Sequence, residues 1–157
     1  MASIRISILA AMVATILPAI AQQPGFTPAD RQRWLGEMRT LKHDFIAREL
    51  ELDQDQKDRF FELYDSMEDD IASLNTETRE AETRVASDSE ATDLMIQNTA
   101  RTVFEQKRAE GQIEMTYFDQ FSQILTPRQL LQLKNAERKF TQQLVNRRRA
   151  LRRSDNR

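Results

Sequence analysis

The chain has 157 residues, 23 Lys/Arg against 25 Asp/Glu, a single His and no Cys. That inventory excludes disulfides, thiol nucleophiles, zinc–thiolate sites and His-rich metal centres, so the fold must hold without covalent staples. Charge is unevenly placed: residues 22–125 carry 12 Lys/Arg and 23 Asp/Glu, a net of −11, whereas residues 126–157 carry 10 and 2, a net of +8.

The first element reads as a secretory signal peptide over residues 1–21. Arg5 precedes an apolar run from Ile6 to Ile20, and Ala19-Ile20-Ala21 offers small residues for cleavage after Ala21. The run is shorter than the roughly 20 residues of a membrane-spanning helix and contains Pro18. The rest of the chain is expected to be one helical domain, residues 22–153, with a disordered tail at 154–157. Between Pro28 and Pro127 there is no proline, and after Gly36 the sole glycine is Gly111. With few breakers and much Glu, Gln, Arg, Lys, Leu and Ala, the chain should be all-α.

Four helices are predicted, near 28–50, 53–86, 88–125 and 126–153. Each start is placed by capping chemistry, in which a Ser, Thr or Asp side chain accepts from an unpaired N–H of the first turn. A residue three positions on then answers the cap's own N–H. Thr27, with Pro28 and Asp30, opens the first helix. Leu52-Asp53-Gln54-Asp55-Gln56 opens the second, with Asp53 as cap and Gln56 closing the box. Ser87 and Glu90 are read as the box of the third. Leu125-Thr126-Pro127-Arg128-Gln129 opens the fourth. Each helix carries an apolar seam: Trp34, Met38, Leu41 and Phe45; then Phe60, Tyr64, Met67, Ile71, Leu74, Thr78, Ala81 and Val85. The third runs Ile96, Ala100, Val103, Met115, Phe118 and Leu125, and the fourth Leu130, Leu133, Phe140, Leu144 and Leu151. The seams thin near Thr76–Glu90. Seams this narrow on helices this polar call for a four-helix antiparallel hairpin-type bundle that covers its remaining apolar surface as a homodimer.

The two Leu-x-x-x-Gln boxes, behind an export signal and without Cys, resemble the LTxxQ family of periplasmic proteins, the Spy/CpxP type, with ZraP a more distant relative. Leu125, Thr126 and Gln129 match its motif fully; Leu52, Asp53 and Gln56 match with Asp in place of Thr. The resemblance implies a curved, cradle-like dimer that holds unfolded or stress-exposed polypeptides without ATP. It also implies that such a protein can damp an envelope-stress sensor. The motif residues carry over as helix caps.

Chemistry-bearing clusters are few. His43 lies between Leu41 and Phe45 and has no second His or Cys to join it in holding a metal. Glu68-Asp69-Asp70 and the Asp53/Asp55/Asp58 group read as solvated helix faces, because a Ca²⁺ loop needs a turn with a central Gly. No catalytic set, phosphate loop or nucleotide motif is present, so neither an enzyme nor a cofactor is expected. Arg147, Arg148, Arg149, Arg152 and Arg153 form a basic patch that could meet acidic clients or a sensor domain, with nucleic acid excluded by the compartment. The adjacent aromatics Phe60/Phe61 and Tyr117/Phe118/Phe121 cannot all face one core. With Met38, Met67, Met95 and Met115 they could form an adaptable apolar surface. The function expected is a periplasmic ATP-independent chaperone. The alternative is an accessory regulator that binds the sensor domain of an envelope-stress or metal-responsive system.

Overall fold

A computed structural model of the chain describes residues 27–155; the signal-peptide reading and the last two residues lie outside that range. The described residues form four helices and no strand: α1 (Pro28–Glu49), α2 (Gln54–Ser87), α3 (Asp93–Phe121) and α4 (Pro127–Asp155). The protein is all-α, as the scarcity of breakers requires. The last helix runs two residues past the expected boundary into the segment read as a tail. None of these helices is long and apolar enough to cross a membrane. The chain builds two compact units. One combines the stretch up to Arg59 with that from Ile124 onward, and the other is Phe60–Gln123.

In the first unit α1 packs on α4. Phe45 and Phe140 meet with ring centroids 5.6 Å apart. Ile46, Leu50, Leu52, Leu125, Leu133 and Ala136 complete a buried core. Lys139 Nζ reaches Glu49 Oε2 at 2.6 Å. The seam of α1 differs from the expected one: Leu41 is half exposed and Lys42 is buried. Ile46 is fully buried, and it turns the inward face of the helix toward position 42, four residues earlier, and away from 41. The Lys42 stem then supplies the packing that a Leu was expected to give.

The turn between α1 and α2 does two jobs in four residues. Glu51 takes a left-handed conformation, φ 53°. Its N–H donates to Arg48 O and the Leu52 N–H to Ala47 O, which closes α1 in a Schellman arrangement. Leu52 is thereby buried directly before Asp53, the cap of α2.

In the second unit α2 pairs with α3 in the opposite sense. Phe60, Tyr64, Met67, Ile71, Asn75 and Thr78 of α2 are buried. Their mean spacing follows the 3.6-residue turn of a straight helix, and at the fourth step the inward position is Asn75 and not the heptad residue Leu74. Phe60 and Phe121 pack at 5.1 Å between centroids, and Tyr117 donates to Asp70 Oδ2 at 2.7 Å. Farther along, the apolar core gives way to a polar layer. Gln106 Nε2 donates to Asn75 Oδ1, and Lys107 Nζ holds the buried Glu110 carboxylate at 2.7 Å. The expected box at Ser87 does not start α3. Ser87 is the last residue of α2, and its hydroxyl donates back to Thr83 O at 2.8 Å. Thr92 caps α3 instead, accepting from Met95 N–H at 3.3 Å. An N-cap residue needs an extended backbone, which Thr92 has at φ −75° and ψ 155°, whereas Ser87 is still helical as the end of α2.

Candidate functional site

The two motifs meet in the first unit. At the start of α2, Asp53 Oδ1 accepts from Gln56 N–H at 2.8 Å and Gln56 Oε1 accepts from Asp53 N–H at 3.3 Å. At the start of α4, Thr126 Oγ1 accepts from Gln129 N–H at 3.3 Å and Gln129 Oε1 from Thr126 N–H at 2.8 Å. Each Gln oxygen therefore accepts within its own helix start and, with its second lone pair, from across, while the amide nitrogens reach across. Gln56 Nε2 donates to Gln129 Oε1 at 3.0 Å, and Gln129 Nε2 donates to Gln56 Oε1 at 3.0 Å. The same nitrogens also satisfy carbonyls before the opposite helix, Ile124 O at 3.0 Å and Leu50 O at 3.1 Å. Leu52 and Leu125, the residues directly before the two caps, are buried. The arrangement is a clasp between two helix starts, and every polar atom it uses serves structure.

The remaining sequence candidates are dispersed. Arg147, Arg149 and Arg153 are exposed along the end of α4; the side chains of Arg148 and Arg152 lie outside the described set. His43 is half-buried on α1. Among the described residues no three His, Asp or Glu side chains gather to hold a metal ion. The acidic clusters are used locally. Asp58 accepts from Gln54 Nε2 at 2.8 Å, Asp55 pairs with Arg59 at 3.4 Å, and Asp70 takes the Tyr117 hydroxyl. That last bond, followed by burial and by the charges of Asp70 and Asp69, holds the Tyr117 hydroxyl above its ordinary pKa.

The second unit carries the surface that packing leaves unexplained. Phe60 and Phe121 are interior, but Ile96, Phe104, Met115 and Phe118 of α3 are exposed, Phe104 at 86 %. On a helix turning 100° per residue these four fall within about 100° of arc, as an Ile96/Phe104 pair and a Met115/Phe118 pair with Lys107, Gly111 and Glu114 between them on the same stripe. Of the methionines weighed as surface, Met67 is core, whereas Met95 and Met115 face outward. At the closed end of the hairpin the stripe runs into a groove of about 590 Å³. Val85, Ala91, Ile96, Val103 and Phe104 line it, together with Glu82 and Asp88.

Phe104 is missing from the expected seam. The signal that finds it is its neighbour Val103: two adjacent bulky apolar residues on a helix cannot both point inward. That logic picks out Phe60/Phe61 and applies equally here. Comparison of the chain with protein-family models, with curated proteins and with solved structures gives no match.

Proposed function

We propose that this is an exported periplasmic protein that binds unfolded or stress-exposed polypeptides without ATP, by adsorbing their apolar segments on α3. The observation that carries the reading is the apolar stripe of Ile96, Phe104, Met115 and Phe118. Large apolar side chains exposed in groups, rather than singly, mark an interaction site. The motif resemblance supports the compartment and the chaperone role. The narrow apolar seams on polar helices support action as a homodimer.

The test is light scattering of a denatured client at near-stoichiometric protein without nucleotide. The full chain suppresses aggregation, and Phe104→Ser with Met115→Ser loses most of that suppression while keeping its helical circular dichroism. Equal activity in the double variant removes the α3 stripe as the binding surface.

A second reading draws on the exposed Arg147, Arg149 and Arg153: an accessory regulator that docks on an acidic sensor domain. Selectivity separates the two. A pull-down dominated by one membrane sensor, unaffected by the α3 variants and lost on Arg→Gln replacement, favours the regulator.

A further inference from the structure

Building on the binding role above, we propose that the groove between the end of α2 and the start of α3 takes a particular class of client: segments whose apolar residues are flanked by Lys or Arg.

The groove is open, and its volume of about 590 Å³ falls in the range of ligand clefts. Its apolar floor gives affinity without direction. Its charged lining gives the direction, because Glu82 and Asp88 are exposed residues that line the groove with carboxylates. The unit that holds the groove reinforces their sign. Residues 60–123 carry 15 Asp/Glu against 5 Lys/Arg, a net of −10. Two of those five cations are already engaged within the unit, Arg84 with Glu80 at 3.8 Å and Lys107 with Glu110 at 2.7 Å. A cleft of one charge sign over low-dielectric walls concentrates its field on whatever enters. A cationic flank is drawn in and an anionic one is turned away. Charge of this kind sets selectivity and association rate more than raw affinity.

The competing occupant is the basic end of α4 from a second copy, which has the same chemistry in Arg147, Arg149 and Arg153. A free polypeptide segment is favoured because the floor asks for apolar side chains as well as cations, and Leu144 and Val145 of α4 are already half-buried within their own unit.

Three labelled peptides of equal length and identical apolar residues, flanked by Lys, Ser or Glu, are titrated with the purified full chain and read by fluorescence anisotropy. Affinity is expected in the order Lys, Ser, Glu, with about tenfold between the extremes at low ionic strength. In about 1 M salt, where the screening length falls to about 3 Å, the three should converge. The variant Glu82→Gln/Asp88→Asn should bind the Lys peptide about three- to tenfold more weakly and the Ser peptide unchanged. Phe104→Ala should weaken all three. Equal binding of the three peptides overturns the charge selectivity while leaving general apolar binding intact. No binding of any peptide by a folded chain removes the broader role as well. If the wild type self-associates and Glu82→Gln/Asp88→Asn dissociates it without affecting peptides, the groove belongs to a second copy and the proposal fails.

Discussion

Gln129 uses both ends of one amide: its oxygen accepts from Thr126 and Gln56, and its nitrogen donates to Leu50 O and Gln56 Oε1. Replacing it with Ala leaves the Leu50 carbonyl and the Gln56 amide short of partners, at a cost of about 1–3 kcal/mol. Once Gln56→Ala is in place, the second replacement should cost less, with a coupling of about 0.5–3 kcal/mol in a urea-denaturation cycle. Additive losses would show that the two amides act independently. Tyr117 gives a pH signature. Its hydroxyl is held above the ordinary 10.0 chiefly by donation to Asp70. A raised folded pKa means the contribution is complete below the unfolded value and is lost as pH rises through the folded one. The hairpin should therefore weaken in strong alkali and not near neutrality. Absorbance at 295 nm should show Tyr117 ionising later than a free tyrosine, and Asp70→Ala should bring it back toward 10. The caps at Thr27, Asp53 and Thr126 were legible residue by residue, because each box is a contact between positions three apart; the one read at Ser87 was not a cap. The pairing of Gln56 with Gln129 was not, since nothing local in either box announces the other. Lys42 escaped for a related reason: apolar pattern reading favours Leu41, and only the position of Ile46 decides between them.

At the level of elements, α3 is the helix whose two faces disagree with a simple bundle. One face meets α2 through Phe121, Tyr117 and Gln106; the adjoining one displays Phe104, Met115 and Phe118. Periodicity in the sequence marks the helix but merges these faces into one seam, because residues at neighbouring angles share the same rhythm. The start of α3 is also displaced from its expected position, since Ser87 and Thr92 both offer a cap and the choice lies in how far α2 continues: Ser87 is still inside it, whereas Thr92 has the extended backbone of a cap. Gly111 sits in this helix with nothing within 4 Å of where a Cβ would stand. It is not a close-approach glycine in this unit. Gly111→Ala should raise stability by about 0.5–1 kcal/mol through reduced backbone entropy in the unfolded chain. A denaturation midpoint that falls would mean that the position needs its empty side.

For the whole molecule, the all-α class followed from the absence of breakers, and the charge division could be counted directly. What composition could not give was the grouping of the chain. Helices joined by short turns suggest sequential packing, yet α1 takes α4 as its partner, the most distant helix in sequence. Long-range burial decides that choice, with Phe45 and Phe140 contributing about 1.5–3 kcal/mol each.

The amide clasp has a topological consequence. Because positions 56 and 129 are fixed to one another, everything between them is a detour that leaves and returns at a single place. Integrity of the detour is then not required for its two ends to stay together. A chain severed within 88–91, the exposed turn between α2 and α3, becomes a self-assembled pair of fragments, each ending in one arm of the hairpin. A protease site inserted there should yield a product that keeps its native elution volume and falls into two pieces only in urea. Separation under native conditions would show that the peptide bond, and not the clasp together with the α1–α4 and α2–α3 contacts, holds the halves.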